Sequence, residues 1–403
     1  MTETDPMENH SIEFTILMAL LMSIVAISID ALLPALGIIA GDLLLDNPNH
    51  AQYLIVGIFG GLAVGQLICG PLSDALGRKK ILYGGVALYL AGSVICYFGN
   101  TLEMLMAGRV IEGLGVAGPY VSTVSIVRDK FSGRKMAKVM SLIMMIFIMV
   151  PAIAPSLGQG VMLLASWRDI FILYIVYALV IAVWVFFRLE ETLPKEKRIP
   201  FHMPDIMNGF KEVFRNRATC LYTLAMGLTF GSFTGYLNSS QQIFQDQFGT
   251  GEMFTVYFGA LALVFGLSSF CNSFLVERLG MRHICIRAYT AAVAASCAFL
   301  ALHAFTDITL WMFLCYASVI LFCYGLVFGN VNALAMEPMG HIAGIAAAVI
   351  GAVSSLISLF FGAAIGQMYN GTLVPVLCGF IVLGAASWAI MIAADKVRGG
   401  TAM

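Results

Sequence analysis

Gly70-Pro71-Leu72-Ser73-Asp74-Ala75-Leu76-Gly77-Arg78-Lys79-Lys80 is a short charged turn set between two long apolar runs, 53–73 and 81–99. A polar hinge this brief between segments this apolar predicts two antiparallel helices that meet water only at the turn. Glycines permit the sharp reversal, and Asp74 and Arg78 stand where they can pair as a charged latch. The pattern returns as Ser273-Phe274-Leu275-Val276-Glu277-Arg278-Leu279-Gly280-Met281-Arg282, again with an acidic residue three before a glycine and basic residues around it. A repeat of this kind implies two related halves, with a binding site where they meet.

The composition around the turn agrees. Of 403 residues 60% are hydrophobic and 11% charged, and the mean hydropathy is +0.90, far outside the range of soluble domains. A bilayer core of about 30 Å needs roughly 20 apolar residues per helix. Runs of that length cover 14–38, 53–73, 81–99, 104–127, 139–163, 169–188, 218–240, 253–275, 284–303, 310–333, 342–367 and 372–394. The expectation is an all-α integral membrane protein of twelve transmembrane helices in two pseudo-symmetric six-helix bundles. The bundles are placed at 1–188 and 218–403, joined by a polar, proline-punctuated linker at 189–217 in which a short surface helix spans about 205–214. The first run is too long, and its acidic flank unsuited, for a cleaved signal peptide, so the mature chain is expected to keep it.

Charge placement orients the helices. Arg78, Lys79, Lys80, Arg128, Lys130, Arg134, Lys135, Lys138 and the linker's basic residues fall on one side. The other side holds Arg168 beside Asp42, Asp46, Glu103, Asp246, Glu252 and Asp307. The Lys/Arg bias puts both termini in the cytoplasm. Nine cysteines without a CxxC and six scattered histidines read as apolar helix residues and surface groups, with no metal site.

Asp30, Arg109 and Glu112 alone lie deep inside apolar runs. An ionised group there costs several kcal/mol and usually marks a pathway, a proton relay or a pairing device. Arg109 and Glu112, three apart on a helix, share a face. Glu112 therefore either neutralises Arg109 or is itself a second protonation site. Desolvation would favour a protonated Asp30 and a nearby Arg109 a charged one, so Asp30 is either a proton carrier or a structural hydrogen-bonding group.

Gly70-x-Leu72-x-Asp74-x-x-Gly77-Arg78-Lys79 resembles the loop 2–3 signature of the major facilitator superfamily, except that Ala75 stands where a basic residue is usual. The resemblance implies the superfamily's fold and a third latch member, Asp129, in a cluster that stabilises the outward-facing state. Arg109-Val-Ile-Glu112-Gly113 is similar to the superfamily's span-four Arg-x-x-Gln-Gly, with Glu112 in place of Gln; there the resemblance implies a role for Arg109 in proton coupling. Asp30, four before Pro34, resembles span one of drug–proton antiporters. Pro151-Ala-Ile-Ala-Pro155-Ser-Leu-Gly158, whose prolines kink span five, is similar to the bicyclomycin/chloramphenicol-resistance (Bcr/CflA) branch. Trp167-Arg168-x-x-Phe171, Asn332-Ala333-Leu334-Ala335 and Ala343-Gly344-x-Ala346-x-Ala348 look like that branch too. Gly57, Gly61 and Gly65 make a smooth face on span two, read either as a surface sliding on span eleven or as static packing.

Polar groups in the second half are candidates for a substrate cavity or for helix–helix contacts: Tyr236, Asn238 and Gln241 in span seven, then Asn272, Asn330 and Asn332. The expected function is proton-coupled efflux of small organic, drug-like compounds across a bacterial inner membrane by alternating access. No Gly-x-x-x-x-Gly-Lys-Ser/Thr loop is present, so no cofactor is expected and the energy source is the proton gradient. The expected partners are a small-molecule substrate, protons and the lipid bilayer, with no nucleic acid, and the superfamily's default implies a monomer. The alternatives are a proton-coupled symporter or facilitator for one metabolite and, from another class, a membrane enzyme or sensor, which the absence of a nucleophile–base pair or metal cluster disfavours.

Overall fold

A computed structural model describes residues 6–131, 133–198 and 203–400. Twelve long helices account for nearly all of it. They are α1 (Pro6–Asp30), α3 (Tyr53–Leu76), α4 (Arg78–Phe98), α5 (Leu102–Lys130), α6 (Gly133–Leu164) and α7 (Asp169–Arg188), then α9 (Arg217–Gln241), α10 (Phe254–Leu279), α11 (Met281–Phe305), α12 (Leu310–Met336), α13 (Ala343–Gln367) and α14 (Val374–Gly400). Two shorter helices are α2 (Leu36–Asp42), which continues the first span beyond a break, and α8 (Met203–Arg215), which precedes α9. Among the described residues, eleven spans are long and apolar enough, by length and composition, to cross a membrane. The remaining long helix, α9, is too polar for that measure because Thr229, Ser232, Thr234, Asn238, Ser239, Ser240 and Gln241 lie on it, all buried against other helices. A helix that hides its polar groups inside a bundle avoids presenting them to lipid.

The helices pack as two groups of six. In the first, α5 lies against α3 and α4, while α1 touches α5, α6 and α7; in the second, α9 packs on α12, α13 and α14, and α11 joins α12 to α14. The long helix pairs that bridge the groups are α3 with α13 and α6 with α10. Internal symmetry shows at the joints. Thr101 caps α5 by accepting from the Met104 amide, and Thr309 caps α12 by accepting from Met312. Gly77 and Gly280 end α3 and α10 with φ of +103° and +76°, a backbone conformation that costs glycine little and other residues more.

The glycine face of span two is used inside its own bundle. A Cβ on Gly61 would run into the Val110 carbonyl of α5, and one on Gly65 would sit 2.6 Å from Ala117 Cβ. It is Gly60, on another face, that meets Leu359 of α13. Small residues here bring α3 and α5 together closely, which holds Arg109 of α5 against the start of α3.

Candidate functional site

The site begins where span one breaks. Proline has no N–H and its ring clashes with the preceding turn, so Pro34 stops α1; the chain passes Asp30, forms a 3-10 turn over Leu33–Ala35 and resumes as α2. The break exposes backbone carbonyls that an intact helix would use. The Ser28 carbonyl accepts from Arg109 Nη2 at 2.6 Å and from Tyr174 Oη at 3.1 Å. A cation at the carbonyl end of a helix is favourably placed. Ser28 Oγ donates to the Ile24 carbonyl and accepts from Tyr89 Oη, each at 2.6 Å. Gly158 makes room for the break, since a Cβ there would strike the Ala31 carbonyl. Pro151 and Pro155 lie in the same helix, α6, which remains continuous through them.

Arg109 is fully engaged. Its Nη1 donates to Glu112 Oε2 at 2.7 Å and its Nε to the Leu54 carbonyl at 3.0 Å, in addition to the Ser28 contact. Glu112 Oε1 accepts from Ser93 Oγ at 2.7 Å. Both charged side chains have 0% exposure, so the pair is a closed, self-neutralising unit. Asp30 stands apart from it. Its side chain is buried, and among the described residues it makes no hydrogen bond or ion pair, with Arg109 or with any other group. Tyr174 of α7 and Tyr236 of α9 lie within electrostatic reach of it, one from each bundle. Tyr236 Oη is also buried without a partner.

The second bundle carries a neutral counterpart. Ser296 Oγ lies 2.9 Å from Tyr316 Oη, Thr229 pairs with Tyr289 at 2.5 Å, and Ser232 pairs with Tyr324 at 2.8 Å. Buried charge in the bundle interiors, among the described residues, is thus confined to the first bundle.

At the Lys/Arg-rich end, Arg78 starts α4 and is 3% exposed. Its Nη1 donates to Asp74 Oδ1 at 2.6 Å and Ser73 Oγ at 3.1 Å, and its Nε to Asp129 Oδ2 at 2.9 Å. The three residues singled out in the sequence are therefore brought together, beside Gly70 and Gly77. Two further members escaped sequence reading. Glu191 Oε1 and Oε2 accept from the backbone N–H groups of Arg78 and Lys79 at 3.0 and 3.2 Å, and Thr192 Oγ1 donates to Asp129 Oδ2 at 3.0 Å. A signal was available: α4 opens with three cations and no acceptor, an unfavourable helix N-terminus that calls for an outside carboxylate.

The candidate cavity residues divide. Tyr236 faces the Asp30 region and stacks on Phe258 with ring centroids 6.4 Å apart. Asn238 Nδ2 donates to the Gly362 carbonyl of α13 at 3.1 Å. Gln241 Nε2 donates to Gln245 Oε1 at 3.0 Å. Asn272 and Asn330 bond each other at 2.7 Å, joining α10 to α12, while Asn332 is exposed. At the acidic end Trp167 Nε1 donates to Asp42 Oδ2 at 2.7 Å, tying α2 to the start of α7.

Two bundles of six helices, the first with charged side chains buried in its interior, have the architecture of a multi-pass membrane transporter. The Major Facilitator Superfamily profile matches residues 18–363, and the chain belongs to that superfamily of small-molecule transporters; it is not an enzyme. It is 30% identical over 368 residues to the uncharacterized MFS-type transporter YdgK of Bacillus subtilis, covering 90% of each chain. It is 27% identical over 365 residues to the bicyclomycin resistance protein homolog of Haemophilus influenzae, covering 90% of this chain and 91% of that one. It is also 29% identical over 332 residues to the multidrug resistance protein MdtL of Shigella dysenteriae, covering 80% of each. Relatives of these names agree with the branch to which the span-five motif pointed. The fold matches that of the xylose transporter XylE from E. coli in a partially occluded inward open conformation, with a TM-score of 0.73 at 11% identity over 96% of this chain and 98% of that one.

Proposed function

We propose that the protein exports small organic, drug-like compounds across the bacterial inner membrane in exchange for protons, by alternating access between the two bundles. The observation that carries this reading is the isolation of Asp30. A buried carboxylate with no hydrogen bond or counter-ion of its own is free to exchange a proton, whereas Glu112 is committed to Arg109. Asp30 sits at the break in span one, within electrostatic reach of Tyr174 of one bundle and Tyr236 of the other, so in this reading its charge state bears on how the bundles meet. Arg109 and Glu112 brace the broken helix end and set the local field. The drug-resistance relatives favour efflux as the direction, and the Lys/Arg bias favours cytoplasmic termini.

The latch of Asp74, Arg78 and Asp129 lies wholly within the first bundle and is intact while the acidic end is bridged between bundles. Its role in this reading is to hold the α3–α4 turn, beside which Gly70 approaches Ala348 of α13. The protein acts as a monomer, with the proton gradient as its energy source. Inverted membrane vesicles test the reading: a drug such as chloramphenicol accumulates when the interior is acidified and leaks out when the gradient is collapsed. Accumulation that ignores the gradient would refute proton coupling, and drug movement only in the opposite sense would favour a symporter.

A further inference from the structure

At the acidic end the seam between the bundles is closed by uncharged amides. Gln52 Nε2, from the turn Pro48–Gln52 that enters α3, donates to Gln242 Oε1 at 2.7 Å, and Gln242 Nε2 donates to Asn49 Oδ1 at 2.7 Å. Asn49 Nδ2 donates onward to the carbonyls of Gln367 and Tyr369 at 3.1 and 2.8 Å, and Gln367 Nε2 returns to the Asn49 carbonyl at 2.7 Å. Each of these bonds runs from the first bundle to the second. Asn49, Gln52 and Gln242 are all buried. A buried amide costs free energy where it is unpartnered; Gln52 Oε1 is left without a hydrogen-bond partner among the described residues, while the bonded groups would exchange one another for water if the bundles part.

The chain is irregular at this point. Gln242 opens a π-helical turn, Gln242–Gln247, at the end of α9, and Gly249 and Gly251 follow it with φ of +62° and +54°. A π turn is a rare insertion, frequent at functional sites. Rewinding it to α-helix turns the residues beyond it by about 100°, and the two glycines let the loop follow. Beside the clasp is a cavity of about 580 Å³ lined by Gly37, Ile38, Leu44, Gln241, Gln245 and Asp246. Behind it, Tyr236 lies six residues back along α9, about 9 Å at 1.5 Å per residue. The clasp thus lies on the acidic-end side of Tyr236 along this segment.

We propose that Asn49, Gln52, Gln242 and Gln367 form the gate at the acidic end, with Gln242 as its positioning residue and the π turn as its hinge. The four bonded side chains are not titratable, and the carboxylate beside them is Asp246, within the π turn, which accepts from Gln241. The gate rests on the alternating-access reading for its place in the cycle, but its existence can be tested separately. The Gln52→Cys/Gln242→Cys protein, treated with a short reversible bis-thiol crosslinker, loses most of its transport and recovers it with dithiothreitol, while each single variant and the unmodified protein, with their native cysteines, do not. A crosslinked double variant that transports as fast as the reduced one overturns the gate. Hydrogen–deuterium exchange needs no transport and decides the matter even if the double variant or the efflux reading fails. In Gln242→Ala, exchange at 48–52 and 364–369 rises about tenfold, the factor that two ordinary hydrogen bonds amount to, with exchange at 73–80 unchanged. Unchanged exchange at the acidic end overturns the proposal.

Discussion

Replacing Glu112 separates its role from that of Asp30. The Glu112 carboxylate accepts two hydrogen bonds, from Arg109 Nη1 and Ser93 Oγ, both at 2.7 Å, and neither charged partner is exposed. Glu112→Ala strands the guanidinium on the Leu54 and Ser28 carbonyls with no counter-charge, and breaking a buried pair in this way costs about 3–5 kcal/mol. Glu112→Gln is milder. Its carbonyl oxygen still accepts from Arg109, and its amide donates to Ser93 Oγ, whose own proton passes to the Tyr89 carbonyl 3.0 Å away. The counter-charge is lost in both variants, but glutamine keeps two hydrogen bonds that alanine cannot make, a difference of about 1–3 kcal/mol. The assay is thermal unfolding of purified protein in detergent, followed by tryptophan fluorescence. Alanine is expected to lower the transition by several degrees more than glutamine, and the gap should persist at high salt because buried pairs are weakly screened. Equal stabilities for the two variants would refute the reasoning, because the hydrogen bonds that glutamine retains to Arg109 and Ser93 would then contribute nothing.

Two further outcomes follow from groups outside the membrane core. Glu191→Ala removes the acceptor at the N-terminus of α4; a lost cap costs about 0.5–2 kcal/mol, and faster proteolysis within 189–198 is expected, with Glu191→Gln intermediate, whereas cleavage at the unmodified rate would contradict the capping role. Burial raises the carboxyl of Asp246 above the usual range, an effect only partly offset by the hydrogen bond from Gln241. A folded value above the unfolded one contributes stability in acid that is lost as pH rises through the raised value. Asp246→Asn is therefore expected to melt higher than the unmodified protein near neutral pH and level with it in acid, and parallel melting curves across that range would contradict this.

The turn at Gly70–Lys80 was legible because its residues act locally: Asp74 and Arg78 are one helical turn apart, and Asp129 joins them at the end of the next span but one. Arg109 and Glu112 were legible for the same reason, being neighbours on one helix. Asp30 was legible as a charge out of place, but its isolation was not, since proximity to Arg109 depends on how α1 breaks at Pro34. The amide clasp was hidden more completely. Asn49 and Gln52 on one turn, Gln242 and Gln367 are uncharged, come from three separate parts of the chain and follow no period, so only tertiary packing discloses their pairing. The same holds for Asn272 and Asn330, which bond each other across α10 and α12. Polar residues in a membrane helix announce that they need a partner without saying which one.

Proton release from the purified protein in detergent, as a transported compound is added, tests the central assignment most directly. Compared across the unmodified protein, Asp30→Asn and Glu112→Gln, release is expected to vanish only in Asp30→Asn and to survive in Glu112→Gln. Release that persists in Asp30→Asn would contradict the account and move the proton to another group.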